Sequence, residues 1–154
     1  MIEIPHFKDL DIRDIVCDYN GTIAKDGIVI TEIKKLFLDL SEKYRLHVVT
    51  ADTFGSVKEQ LKGYDVNIKV LSSDNHTREK ALYIQSLGAA NCIAIGNGNN
   101  DKEMLKESAI GIAVLGSEGC AKEALLNSDM LCKDIKDALL AVLHSKRLIA
   151  TLRN

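Results

Sequence analysis

Val16-Cys17-Asp18-Tyr19-Asn20-Gly21-Thr22 is an apolar run that ends in a carboxylate and breaks into glycine and threonine. The run into it, about Asp14 to Asp18, is β-branched and apolar in the way of a strand buried on both faces. A strand that stops at an aspartate presents that carboxylate at its C-terminal edge, where open α/β sheets bind their ligands. A glycine just beyond lets the backbone approach a ligand closely. An aspartate so placed serves as nucleophile, as metal ligand or as the cap of a turn. The remainder of the chain decides between these roles.

Upstream, Ile2-Glu3-Ile4 and Leu10-Asp11-Ile12 alternate apolar and polar residues and predict a short antiparallel ribbon. Downstream, Asp26-Gly27 lies between the apolar runs of Ile23 to Ile30, the signature of a hairpin flap just past Asp18. Thr31 is placed to cap a helix carrying Ile33, Leu36, Phe37 and Leu40. Strands and helices then alternate: a strand at 46–50, a helix at 56–62, a strand at 66–71, a helix from about Thr77 to Gly88. A strand at 92–95, a helix at 102–107, a strand at 110–114 and a helix at 118–126 follow. The last elements are a short extended segment at 130–132 and a helix from Asp134 to about Leu143. The tail from Lys146 to Arg153 mixes basic and apolar residues, for the core or for an interface. Such alternation implies βαβ units and a mainly parallel sheet with helices on both faces.

At 154 residues the chain has the size of one domain, with length enough for a proper core. A net charge of -2 gives no bulk attraction to nucleic acid or an anionic membrane. No apolar run approaches the roughly 20 residues that span a bilayer. The start Met1-Ile2-Glu3-Ile4-Pro5-His6 is unlike a signal peptide. Cys17, Cys92, Cys120 and Cys132 form no CxxC pair. The expectation is a reduced, cytoplasmic protein with no nucleic-acid or membrane partner.

Parallel strands put their C-termini along one edge, so Asp18, Thr50 and the loop Gly96-Asn97-Gly98-Asn99-Asn100-Asp101 can converge there. Lys80 lies on the helix between the last two. Asp18 offers an anionic oxygen nucleophile, Thr50 a hydrogen-bond donor for a phosphoryl oxygen, and Lys80 a positive charge for the same group. Asp101 is a hard oxygen ligand for magnesium, and Asn97 or Asn100 adds neutral oxygens. Together these are parts for phosphoryl transfer, where positioning and charge neutralisation carry most of the catalysis.

The set, in this order, resembles the haloacid dehalogenase-like hydrolase superfamily, and within it the soluble proteins related to the phosphorylation domain of P-type ATPases. Asp18-Tyr19-Asn20-Gly21-Thr22 resembles the first motif, Asp-x-Asp/Thr-Gly-Thr. Thr50-Ala51-Asp52 resembles the Thr-Gly-Asp of P-type ATPases, Lys80 fits the third motif, and the 96–101 loop resembles Gly-Asp-Gly-x-Asn-Asp. The resemblance implies a three-layer Rossmann-like fold over residues 1–154, with a small hairpin flap and no cap domain. It implies a phosphorylated substrate and magnesium as cofactor. Asp18 would form an aspartyl-phosphate, with Asn20 and Lys80 as further catalytic positions. Thr50, Ala51, Gly21 and Lys80 would hold the phosphate, and Asp18, Asn20, Asn97 and Asp101 the metal.

Two positions depart from the pattern. Asn20 stands where such phosphatases carry an aspartate that protonates the leaving group and later activates water. An amide does neither, and general acid–base catalysis is typically worth about 10²–10⁴-fold. Slow hydrolysis, a good leaving group or a stable phospho-state follows, and so does the alternative of an attenuated module that binds a phospho-ligand or a protein. Asn97 stands where the resemblance places a metal-binding aspartate, which lowers the charge offered to the ion. About thirty residues separate Asp18 from Thr50 and Thr50 from Lys80, too few for an inserted domain. That excludes ATP-driven transport. By the same resemblance, members without caps act on large substrates or close the site by oligomerising, so a homo-oligomer is among the expected states.

Overall fold

The computed structural model describes residues 1–52 and 55–154. It opens with an antiparallel ribbon of β1 (Ile2–Ile4) and β2 (Lys8–Leu10). The second strand comes two residues earlier than the alternation predicts. A tight turn, with His6 at φ 59° and the Phe7 amide donating to the Ile4 carbonyl, sends the chain back at once and pairs Ile2 with Leu10. β3 (Asp14–Asp18) follows, buried at all five positions. β4 (Ala24–Lys25) and β5 (Ile28–Val29) form the expected hairpin, with Asp26 and Gly27 both at positive φ as a two-residue I′ turn requires.

A 3₁₀ turn at Thr31–Ile33 leads into α1 (Lys34–Ser41). Thr31 does not cap the helix: it is the first residue of the 3₁₀ turn, and neither start has a side-chain cap. Next come β6 (Arg45–Thr50), α2 (Ser56–Gln60), β7 (Asn67–Val70) and α3 (His76–Leu87). The α3 start is capped by Asn75, whose side chain accepts the Arg78 amide. β8 (Cys92–Gly96), α4 (Lys102–Glu107), β9 (Ile110–Val114) and α5 (Lys122–Leu126) continue the alternation. α5 begins four residues later than expected because residues 118–121 are occupied as a loop. There Glu118 accepts the Asp26 amide, Gly119 has φ +86° and offers its carbonyl to Asn97, and the Ala121 amide donates to the Asn97 carbonyl. β10 (Met130–Cys132), α6 (Ile135–Leu143) and α7 (Ser145–Leu152) complete the chain, with Asp134 capping α6.

Six strands form one parallel sheet in the order β10-β9-β8-β3-β6-β7. The chain runs outward from β3 through β6 to β7, then crosses back to β8 and runs outward on the other side. The direction of winding therefore reverses between β3 and β8, and a crevice opens at the strand C-termini there. Winding direction also sets the helix layers. Ile15, Cys17, Leu46 and Val48 pack with α1, α2 and α6 residues such as Phe37, Val57 and Leu139. Val16, Val49 and Ala94 pack on the opposite face with Ile84 of α3, Met104 and Leu105 of α4 and Ala124 of α5. Of the two uses open to the tail, the fold takes the core: Leu148 and Leu152 are buried and α7 packs against β1. Among the described residues no helix is long and apolar enough to cross a membrane.

Candidate active site

Strand alternation aims the central acid. Side chains of β3 point alternately to the two faces, so Asp14, Val16 and Asp18 share the face covered by α3. Across from Asp18, α3 presents Lys80, which is 2% exposed. Its ammonium donates to Asp18 Oδ1 at 2.8 Å, to Asp101 Oδ1 at 2.8 Å and to Asn100 Oδ1 at 2.9 Å, so all three of its hydrogens are used. Burial, reinforced by the charge of Asp101, raises the Asp18 carboxyl above the ordinary carboxylate range, against the opposing pull of Lys80 and Thr22. Burial disfavours the Lys80 charge, but Asp18 and Asp101 outweigh it and hold the ammonium above the usual lysine value.

The glycine-rich loop exists to place Asp101. Its carboxylate is fully buried, with Oδ2 accepting the backbone amides of Asn97 (3.0 Å) and Gly98 (2.9 Å) while Oδ1 holds Lys80. A Cβ at Gly96 would lie 2.5 Å from the Asp101 Cγ, so only glycine leaves room for that carboxylate. Asp101 thus stands behind the lysine and binds loop and ammonium together. Asn97 points the other way: its Nδ2 donates to the Gly119 carbonyl at 3.0 Å, which turns Oδ1 toward Thr22.

The Thr22 hydroxyl lies 3.2 Å from both Asp18 Oδ2 and Asn97 Oδ1. One hydrogen serves these three oxygens, and two buried carboxylates face a single buried ammonium. An excess of hard oxygen and of negative charge fits a divalent cation of the magnesium type. Among the described residues no group of three or more acidic, histidine or cysteine side chains that could hold a metal occurs, so the neutral oxygens of Thr22 and Asn97 complete the donors beside Asp18.

Of the other expected site residues, Thr50, Ala51 and Asn20 line one cleft with Asp18, Lys80 and Asn97, of about 370 Å³. The Thr50 hydroxyl oxygen accepts the Asp52 amide at 3.1 Å, which leaves its hydrogen for a ligand. Asp52 secures this loop to α2, accepting the Ser56 hydroxyl at 2.7 Å and the Val57 amide at 3.0 Å. Gly21 is not brought to this cleft. Its amide donates to the Ala24 carbonyl, and it borders a separate cavity with Lys25 and Lys133. Its φ of +79° and the Asn97 amide pressed against it explain the glycine.

Three participants escape sequence reasoning. Thr22 sits four residues after Asp18, and only the loop's fold returns its hydroxyl to that carboxylate. His76 lines the cleft from the first turn of α3. Its signal was the four-residue spacing to Lys80, which puts both on one helix face. At the far end of β3, Asp14 is fully buried and accepts from Arg45 through both oxygens, and His47 Nε2 lies 2.8 Å from it. His47 Nδ1 in turn meets the Tyr83 hydroxyl of α3 at 2.7 Å.

The family model of the haloacid dehalogenase-like hydrolases matches residues 75–137, the span containing Lys80 and the 96–101 loop. An uncharacterized protein of Methanocaldococcus jannaschii is 52% identical over 62 residues, 40% of this chain and 67% of that protein. In three dimensions the chain is similar to the 3-deoxy-D-manno-octulosonate 8-phosphate phosphatase of Moraxella catarrhalis, solved with magnesium and phosphate ions. The TM-score is 0.73 at 16% identity, over 93% of this chain and 94% of that one. The cobalt-bound phosphatase of the same type from Haemophilus influenzae gives 0.71 at 8% identity, over 89% and 90%. The fold is that of the haloacid dehalogenase-like phosphatases, and the family model of these hydrolases matches part of the chain, residues 75–137.

Proposed function

We propose that this protein is a magnesium-dependent phosphohydrolase or phosphotransferase that acts through an aspartyl-phosphate on Asp18, with residues 1–154 serving as one catalytic domain. The observation that carries the reading is the Asp18–Lys80–Asp101 ion triad at the winding reversal of the sheet, buried except where Asp18 meets the cleft. The Asp18 carboxylate attacks the phosphorus of a bound ester, and the bond to the leaving oxygen breaks. The Thr50 hydroxyl holds a phosphoryl oxygen beside the Ala51 backbone, the Lys80 ammonium beside Asp18 supplies positive charge to the group, and water then attacks the acyl phosphate and restores Asp18. Asp18, Asn97 Oδ1 and the Asn20 backbone carbonyl are the ligands proposed for magnesium, with Asp101 behind them. Bound there, the ion would neutralise charge on the phosphoryl group. The magnesium and phosphate in the Moraxella catarrhalis structure support this choice. Packing of α7 on β1, which closes the two ends of the described chain together, supports the single domain. The four cysteines are free, three of them buried, in keeping with a reducing cytoplasm.

Turnover of acyl phosphates and phosphate esters by the wild type and by Asp18→Asn tests the reading. It requires loss of activity in the variant, and equal turnover by both overturns it. A second reading, an attenuated module binding a phospho-ligand, is favoured by the two neutral amides at Asn20 and Asn97. Restoring aspartate at both positions separates the two: a gain of several orders of magnitude marks the natural chain as attenuated, and a small gain marks it as a working enzyme.

A further inference from the structure

We propose that His76 supplies the proton that the leaving oxygen needs, in place of the amide at Asn20; this rests on the phosphatase reading above. Leaving-group departure puts an electron pair on an oxygen, which for an alkyl ester demands an acid. Among the described residues that line the cleft, the side chains able to titrate are those of Asp18, His76 and Lys80. Asp18 is the nucleophile. The Lys80 ammonium has all three hydrogens committed and is held charged by its two carboxylates. That leaves the imidazole, the one side-chain type that takes up and releases a proton around neutral pH.

Position supports the assignment. His76 is the first residue of α3 and Lys80 is one turn on, so both side chains rise from the same face. Lys80 reaches inward to Asp18, while His76 sits at the wall of the same cleft, half-buried. Its side chain has no hydrogen bond to another described residue, so both ring nitrogens are open to a ligand. The charged groups of its own helix are Arg78, Glu79 (paired with Lys69) and Lys80; α4, packed against α3, brings Lys102, Glu103, Lys106 and Glu107, the last paired with Arg78; Asp74 precedes α3, and Asp18 and Asp101 flank the lysine. Thr50, Ala51 and residues 97–100 bring no charge.

In the first step Asp18 forms a bond to phosphorus as the bond from phosphorus to the leaving oxygen breaks. The imidazolium gives its proton to that oxygen, so an alcohol departs and a neutral imidazole remains. In the second step water attacks phosphorus, its proton passes to the imidazole, and the bond between phosphorus and Asp18 breaks to give phosphate and the free carboxylate. The imidazolium is thereby regenerated.

The test compares an alkyl phosphate with acetyl phosphate, whose leaving carboxylate needs no acid, using wild type, His76→Gln and Asp18→Asn in the presence of magnesium. His76→Gln is expected to slow formation of the aspartyl-phosphate from the alkyl phosphate by about 10²–10⁴-fold, read in single turnover, and to leave its formation from acetyl phosphate within a few-fold, which also shows that the variant is folded. The alkyl ester profile of the wild type should fall as pH rises, and the variant's should lose that fall. Asn20→Asp placed in His76→Gln should recover alkyl turnover. An equal effect of His76→Gln on aspartyl-phosphate formation from both substrates, no effect on either, or a wild type that turns over acetyl phosphate but no alkyl ester overturns the role of His76. Survival of acetyl phosphate turnover in Asp18→Asn instead overturns the phosphatase reading itself.

Discussion

Lys80 sets its ammonium between two buried carboxylates, and the proposed chemistry and the stability of the cleft both turn on it. It neutralises one of two buried carboxylates, and its removal leaves the two facing each other with no cation between them. Breaking a buried pair in this way costs roughly 3–5 kcal/mol, far more than an exposed pair would. Lys80→Met is therefore expected to lose turnover and about that much stability in urea denaturation at neutral pH. The loss should shrink in acid, where protonated carboxyls no longer repel. Asn97→Asp, by contrast, adds charge to the proposed metal ligands and should tighten magnesium binding measured by calorimetry. The place of Asp18 at the strand's C-terminal edge was legible, since a β-branched apolar run ending in a carboxylate is a local pattern, whereas the return of the Thr22 hydroxyl to it was not. His76 was not, because a histidine at the start of a helix has no meaning until the strand beside it is known.

At the scale of elements, α3 is a strut between two buried acids. Lys80 meets Asp18 at the C-terminal end of β3, and Tyr83, three residues on, meets the His47–Asp14 pair at the other end. Asp14→Ala would leave the buried His47 nitrogen unsatisfied. Arg45, whose side chain is 63% exposed, simply returns to water. The expected cost is about 1–3 kcal/mol in denaturant unfolding, the penalty for one unsatisfied buried polar group, and not the larger penalty of a stranded ion. The 96–101 loop is a second case of an element built for one side chain. A methyl at residue 96 must displace the Asp101 carboxylate. Gly96→Ala is expected to remain folded, to lose about 1–3 kcal/mol and to abolish turnover. Strand and helix identities were readable from periodicity. The start of α5 was not, because a loop tied by Glu118 and Gly119 to distant residues overrides local helix preference.

Over the whole molecule, the cleft trades stability for charge. Asp18 titrates above the ordinary carboxylate range in the folded chain, so the folded state holds a proton that the unfolded state gives up. Without metal, stability should therefore fall as pH rises from the ordinary carboxylate range through the raised value of Asp18. Thermal melts of Asp18→Asn should show a higher midpoint at neutral pH and a flatter pH dependence than the wild type. Magnesium should raise the wild-type midpoint, by about 2.7 kcal/mol of stability at one hundred times its dissociation constant, and should do little for Asp18→Asn. Failure of magnesium to move the wild-type midpoint would remove the ion from the proposed reaction.

Sequence alone determined the alternation of strands and helices and the chemical parts at the strand ends, because hydrophobic period and residue chemistry are local properties. It also placed neutral amides at Asn20 and Asn97. Only the tertiary structure decided where the winding of the sheet reverses, and hence that β3 lies between β6 and β8 with Asp18 at the crevice. It alone set Asp101 behind Lys80, turned Gly21 away from the cleft and brought His76 into it. The physical reason is that these relations depend on strand order and on which face a side chain occupies. Both are settled by long-range packing and not by neighbours along the chain.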